Sequence, residues 1–278
     1  MSWKKNWRKA DNHESNVWEL LMNYPDDFID QIICGDCLEI MKWIPDKSVN
    51  LVLTDPPYGH NNNNGDLISR REAALGKGDY IPERDNRPIA NDGKEANEIF
   101  EKFIQEVSRI LTKDGCCCCC CCGGGGPDPM FARWSLIMDK YLSFKQMIVW
   151  DKGPMGMGWK YRRSYETILV ASKKDKMAWY DNSKKIENII RPGYKGIRKI
   201  IPSKDQHPTQ KPVNLMKHFI ELHTKEGDIV IDPFLGSGTT AVACLSLNRH
   251  FIGIELSPEY CEVAKRRIKE IQPQLVFG

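Results

Sequence analysis

Residues 228–255 read DIVIDPFLGSGTTAVACLSLNRHFIGIE. A short apolar run, DIVID, closes on Asp232. A Gly-x-Gly turn follows at Gly236 and Gly238, a helical segment starts near Thr239, and a second apolar run, HFIGIE, closes on Glu255. Short β-branched runs bounded by turn residues and separated by one helical segment spell a β–α–β unit. Its turn has two readings. The glycines can serve only a tight strand-to-helix corner. They can also let the backbone approach a nucleotide, with the acid nineteen residues after Gly236 accepting hydrogen bonds from ribose hydroxyls. The dinucleotide fingerprint is met only with Ala241 in its third place, and DPF before the loop is not typical of it. With no lysine after the last glycine, the loop is not a Walker A loop.

The same alternation extends outward. QIICGDCLEIMKWIPDKSVNLVLTD (residues 31–55) reads strand, helix, strand. ANEIFEKFIQEVSRILTKDG predicts an amphipathic helix with Ile99, Phe103, Val107 and Ile110 on one face and Gly115 as its stop. DPMFARWSLIMDKY predicts a helix, KQMIVWD and YETILVAS predict strands, and PVNLMKHFIELH predicts a helix. Residues 59–95 are polar and irregular, and no core face is legible in 173–205. Strand–helix alternation predicts an α/β, Rossmann-like fold, a mostly parallel sheet with helices on both faces and loop insertions.

A second landmark closes the strand NLVLT: Asp55, Pro56, Pro57 and Tyr58. An Asp-capped proline turn would explain it. Chemistry offers more, because the C-terminal edge of an open α/β sheet is where ligands bind. Methylating an exocyclic amine requires localising a lone pair that is delocalised into the ring. Asp55 can accept one N–H and take the departing proton. The Pro56 carbonyl, held rigid by consecutive locked φ angles, can accept the other. Tyr58 offers a flat face for a base taken out of the duplex.

TDPPYG and DPFLGSGTT together resemble the amino-group DNA methyltransferases that use S-adenosylmethionine, acting on adenine N6 or cytosine N4. The catalytic motif comes before the cofactor loop, as in the permuted subgroup termed the β class. The resemblance runs from Gln31 to Ile271. It implies one catalytic domain over residues 31–271, preceded by an extension (1–30) and followed by a tail (272–278). Catalysis falls to Asp55, Pro56, Pro57 and Tyr58. Cofactor contacts fall to Asp36 in ICGDCLEIM, to Thr209 and Lys211 in HPTQKPVNLM, and to Asp232, Phe234, Gly236, Ser237, Gly238 and Thr239. Glu255 in GIELSPEY takes the ribose. Asp as the first motif residue favours adenine N6 over cytosine N4. The family's target-recognition region maps onto residues 173–205, with a further DNA-facing loop at 59–95. The implied partner is double-stranded DNA. A homodimer and a cognate restriction enzyme are both compatible with the subgroup, and the implied setting is a bacterial or phage-infected cell.

Charge agrees with that placement. The chain of 278 residues carries only +3 overall, yet 173–211 holds eleven Lys/Arg against four acids, a local +7. Such a segment is an electrostatic footprint for phosphate, or else a solvated loop. Lys184, Lys185, Arg191 and Arg198 lie within it, and Arg162 and Arg163 lie in WKYRRSYE. With no apolar run of about 18 residues, no membrane span is expected. The amino-terminal stretch lacks the apolar core of a signal peptide, so a cytoplasmic protein with reduced cysteines is expected.

Seven consecutive cysteines, Cys116 to Cys122, look at first like a metal cluster. Their place, after a helix and a KDG turn, is where the next strand is due. Seven residues in extended form span about 23 Å, a normal strand. Alternation throws their thiols to opposite faces, which opposes four thiolates converging on one ion. The histidines suggest no metal site, and Cys34–Cys37 has no partner pair at zinc-ribbon spacing. No metal is therefore expected. The glycines 123–126 are expected at the same sheet edge as Asp55, bordering the pocket.

Overall fold

In the computed structural model, residues 23–57, 95–121, 130–154, 164–198 and 210–276 are described. The elements run β1 (Gln31–Cys34), α1 (Cys37–Ile40), β2 (Val49–Thr54), α2 (Ala96–Ile110), β3 (Leu111–Cys121), α3 (Met130–Tyr141), β4 (Ser143–Asp151), β5 (Tyr165–Ser172), β6 (Ile189–Ile190), α4 (Val213–His223), β7 (Ile229–Asp232), α5 (Thr239–Leu245), β8 (His250–Glu255) and α6 (Pro258–Val276).

The strands form one eight-stranded sheet in the order β1-β8-β7-β2-β3-β5-β4-β6. All neighbours are parallel except at β5, which is antiparallel to β3 and β4. Helices cover both faces, as the alternation predicts. Phe100 and Phe103 of α2 and Trp134 of α3 pack on one face, and Phe219 of α4 and Ala243 of α5 on the other. From the central pair β7 and β2 the chain winds away in opposite directions, to β8 on one side and to β3 on the other. The carboxyl ends of β2 and β7 therefore flank a topological switch point, the place where open α/β sheets bind ligands.

The cysteine run is strand as far as it is described, from Cys116 to Cys121, and Cys122 lies outside the described residues. Cys117 and Cys119 join the core under α2 and α3, and Cys116, Cys118 and Cys120 join the core under α4 and α5. All five are buried, and β3 is flanked by β2 and β5. Unprotonated chemistry is not needed to explain them there, since a reduced cysteine packs as a small apolar side chain.

The boundary before this run differs from the prediction. Helix α2 stops at Ile110, not at Gly115, and the LTKDG that reads as a turn is already strand. Val49 pairs with Leu111 but Leu51 pairs with Cys116, so a bulge absorbs the intervening residues. Gly115 is required by that bulge, because a Cβ there would sit 3.0 Å from the Asn50 carbonyl oxygen. The buried face of α2 is also rotated slightly. Phe100 and Ile104 are buried with Phe103, Val107 and Ile110, and Ile99 is only half-buried. Phe100 stacks on Trp134 at 4.0 Å, which pulls that side of the helix inward.

Residues 173–198 have little regular structure beyond β6 and a 3-10 turn at Tyr194–Gly196, in keeping with their lack of a periodic core face. No helix among the described residues is long and apolar enough to cross a membrane.

Candidate active site

Four strand ends converge on the switch-point edge. β2 delivers Thr54 and Asp55, β7 delivers Asp232 and the glycine turn, β8 delivers Glu255, and β1 delivers Asp36. The two motifs that lie far apart in sequence are joined directly. Thr54 Oγ1 donates to Asp232 Oδ1 at 2.6 Å, and Thr240 Oγ1 donates to Asp232 Oδ2 at 2.6 Å. The Phe234 N–H adds a third bond to Asp232 at 3.2 Å. Burial pushes the Asp232 carboxyl up to about 6 against the pull of these donors. Asp232 is thus turned inward as the clasp between β2 and the glycine turn. Its neighbour Phe234 packs edge-on against Phe103 at 5.3 Å.

The turn has the backbone that only glycine adopts freely. Gly238 has φ +82°, and a Cβ there would lie 2.9 Å from the Ala264 Cβ on α6. Gly236 also has a positive φ, +55°. Its N–H donates to Glu255 Oε2 at 2.7 Å, while the Ser257 N–H donates to Glu255 Oε1 at 2.8 Å. Each carboxylate oxygen keeps a lone pair for a further donor. Glu255 is pushed up by burial, with the two N–H donors pulling the other way. Behind the turn, Arg267 of α6 donates to the Ser237 carbonyl at 2.5 Å, to Ser237 Oγ at 2.8 Å and to Thr239 Oγ1 at 3.3 Å. The Ser237 hydroxyl also reaches Gln210 at 3.3 Å. At the other end of the edge, Asp36 is exposed and caps α1 by accepting the Leu38 N–H at 2.8 Å.

Asp55 sits between two environments. One oxygen, Oδ2, is bound by the buried Lys211 ammonium. The other, Oδ1, is buried and has no hydrogen-bond partner among the described residues. Burial pushes this carboxyl up to about 7. Lys211 pulls it down, and Glu166 and Asp232 add to the upward push. Lys211 also lies 3.7 Å from Glu166 on β5, and Glu166 is held from its other side by Lys152 at 2.5 Å. The result is an alternating row of charges, Asp55–Lys211–Glu166–Lys152, ending at a carboxylate oxygen that is desolvated and free to accept an N–H.

The fold brings Asp55, Pro56, Pro57, Asp232, the glycine turn, Glu255 and Lys211, all named from the sequence, to one edge, with Asp232 bonded to Thr54 and Thr240 and Lys211 to Asp55. Sequence reasoning did not foresee Thr54, Thr240, Glu166, Lys152 or Arg267. Thr54 opens TDPPYG and Thr240 closes DPFLGSGTT, so both stand inside the quoted motifs. Glu166 is the one charged residue of β5, a weak signal. Tyr58, Thr209, Arg162, Arg163 and glycines 123–126 lie outside the described residues, as does the 59–95 loop apart from Glu95. Lys184, Lys185, Arg191 and Arg198 are exposed on the segment around β6. Arg191 pairs with Glu187 in an exposed ion pair. β6 is four strands from β2, about 19 Å away at the usual strand spacing. Arg191, which follows β6 directly, is therefore peripheral to the Asp55 cluster.

One further grouping has no counterpart in the sequence reading: Cys116 and Cys118 lie beside His223 on the α4 side of the sheet.

Comparison with known proteins converges on one group. The model of the N6/N4 methyltransferase family, described as DNA methylase, matches residues 49–266. The type II methyltransferase M.HinfI of Haemophilus influenzae is 31% identical over 265 residues, covering 89% of this chain and 70% of its own. The type II methyltransferase M2.MboI of Moraxella bovis is 28% identical, covering 90% and 91%. Among solved structures, the M1.HpyAVI–SAM complex superposes with a TM-score of 0.58 at 26% identity, covering 86% of this chain and 98% of its own. The cytosine-N4-specific PvuII DNA methyltransferase shares the fold, with a TM-score of 0.64 at 18% identity over 89% of this chain and 93% of its own.

Proposed function

This chain belongs to the N6/N4 DNA methylase family, and from that premise we propose that it transfers a methyl group from S-adenosylmethionine to the N6 amino group of adenine in double-stranded DNA. The observation that carries the reading is the buried, unpartnered Oδ1 of Asp55 at the switch-point edge, beside a glycine turn and a ribose-type acid. An acceptor without a donor, at a place where a base amine would arrive, is suited to an N–H from substrate.

The residues fit the cofactor. Glu255 would accept ribose hydroxyls on its remaining lone pairs. The turn from Asp232 to Thr239, shaped by Gly236 and Gly238, would let the backbone come close. Asp36 would stand at the adenine end, and Thr209 and Lys211 toward the methionine end. Bound S-adenosylmethionine supplies an electrophilic methyl group. Asp55 Oδ1 accepts one N–H of the exocyclic amine, which localises the nitrogen lone pair, and then takes the proton that the amine loses. The Pro56 carbonyl accepts the second N–H, and Tyr58 stacks on the extruded base. Lys211 opposes the burial that raises the Asp55 carboxyl, so that part of it is ionised at neutral pH, and Glu166 and Lys152 flank Lys211. Catalysis is chiefly positioning for direct attack, with no covalent enzyme intermediate.

The asparate that opens the DPPY motif supports adenine over cytosine. Residues 31–271 act as one catalytic domain in this reading, with residues 173–205 meeting DNA phosphates in the cytoplasm of a bacterial or phage-infected cell. Tritiated methyl transfer to unmethylated duplex DNA, followed by nucleoside analysis, tests the proposal. Label in N6-methyladenine is expected. Label in N4-methylcytosine would transfer the reading to the cytosine amine, and DNA binding without label would leave a catalytically inactive DNA-binding protein of the same fold.

A further inference from the structure

On the α4 face of the sheet, away from the Asp55 edge, three soft donors meet. Cys116 and Cys118 stand two residues apart on β3, so alternation points both thiols to the same face. His223, the last residue of α4, approaches from the facing helix. The two sulfurs and one imidazole nitrogen lie within 4.8 Å of one another, and all three residues are buried. Four thiolates from one strand cannot converge on one ion, because alternation sends them to opposite faces. Two thiolates from one face, joined by a histidine from another element, escape that limit.

Three surrounding features suit an ion. His223 Nδ1 lies 3.0 Å from the Ala178 carbonyl. Donation there fixes the tautomer and leaves Nε2 as the lone-pair nitrogen, the outer-shell arrangement typical of a ligating histidine. The strut is itself held, since the Ala178 N–H donates to the Asp114 carbonyl at 2.8 Å, and the Trp179 ring packs edge-on against His223 at 5.5 Å. A pocket of about 400 Å³ opens beside the cluster, lined by His223, Val170, Phe219, Trp179 and His218. It gives an entry path and room for a fourth ligand. His218, which also lines the pocket, is 2% exposed, and its ring packs edge-on against Tyr194 and Phe219.

We propose that Cys116, Cys118 and His223 bind a thiophilic d¹⁰ cation, Zn²⁺, with water from the pocket as fourth ligand. Zn–S bonds of about 2.3 Å and Zn–N of about 2.0 Å place tetrahedral donors roughly 3.5–3.8 Å apart. The observed grouping reaches that with small side-chain rotations. Binding displaces the thiol protons to solvent. The ion would tie β3 to α4. β3 pairs with the strand that ends at Asp55, through Cys118 with Leu53 and Cys119 with Thr54. α4 starts two residues after Lys211. The site is therefore a structural clamp behind the catalytic pair.

The test uses the full chain, reduced and stripped with chelator. One equivalent of Co²⁺ should give thiolate-to-cobalt charge-transfer absorption, and Zn²⁺ should abolish it. Zinc at a hundred times its Kd should raise Tm by roughly 5–10 °C. Both effects should be lost in C118S and in H223Q and kept in the C117S/C119S double variant, whose thiols face the other way. If neither ligand variant folds, X-ray absorption of the zinc-loaded wild type decides, with two sulfurs and two light donors expected. Retention of the cobalt band in C118S or H223Q, a shell of three or four sulfurs, or absence of stoichiometric uptake by the wild type would overturn the proposal.

Discussion

Replacing Lys211 by methionine should move the acidic limb of the pH–rate profile toward alkali. In the wild type, burial lifts Asp55 to about 7 and the Lys211 ammonium is the main opposing influence. Since the ionised carboxylate is the form that accepts the amine N–H, kcat/KM for DNA at saturating cofactor should rise with pH through about 7. Methionine keeps the length and apolar stem of lysine and removes the charge. An adjacent cation lowers a carboxyl by about 1–3 units, so its loss should raise Asp55 by a similar amount. For a rise of about 2 units, the ionised fraction at pH 7 falls from roughly one half to roughly one hundredth. The rate should then drop about 50-fold at pH 7 but only about twofold at pH 9. Methyl transfer to a short duplex, followed from pH 5.5 to 9.5, supplies the profile. A loss of the same size at every pH, with KM for the cofactor raised and the acidic limb unmoved, would refute the electrostatic role and leave Lys211 as a cofactor contact alone.

Other outcomes follow from the same geometry. A carboxyl whose folded pKa is raised binds its proton more tightly in the folded state, so its stabilisation is full below the unfolded value and is lost as pH rises through the folded one. Asp55 (3.8 to about 7) and Asp232 (3.8 to about 6) both behave this way. The urea midpoint should therefore decline between pH 4 and 7, and D55N should flatten the decline. E255Q should weaken S-adenosylmethionine binding about 10- to 100-fold by equilibrium dialysis, the usual range for one charge-assisted hydrogen bond, with DNA affinity unchanged. G238A should cost about 1–3 kcal/mol in chemical denaturation, because it combines a φ of +82° with a 2.9 Å approach to Ala264. Neutralising Lys184, Lys185 and Arg198 together should lower the slope of log K against log salt for DNA binding by up to about 2.7, and an unchanged slope would remove this surface from the DNA footprint.

What the sequence made legible follows from the range of the interactions involved. Strand–turn–helix units announce themselves locally, because a strand end, a glycine needing positive φ and a helix start lie within a dozen residues of each other. The turn at Gly236–Gly238 and the Asp55–Pro57 corner were readable for that reason, as was β3, in which Cys116 to Cys121 follow directly on a helix and a KDG segment. The end of α2 was not, because Leu111 leaves the helix to pair with Val49, a residue far away in sequence. The same limit governed the chemistry. Asp55 was legible as a carboxylate at a strand end, but its proton affinity was not. That affinity depends on Lys211, which sits 156 positions later, and on Glu166, the one charged residue of β5. The cysteines carry the point furthest. Their number invited a metal and their spacing along one strand argued against it, and both inferences used β3 alone. The relevant partner, His223, is at the end of a helix more than a hundred residues away, and only the packing of α4 on the sheet puts its imidazole opposite one alternate pair of thiols. Local spacing fixes which cysteines share a face of the strand, but tertiary packing decides which side chain of another element meets them.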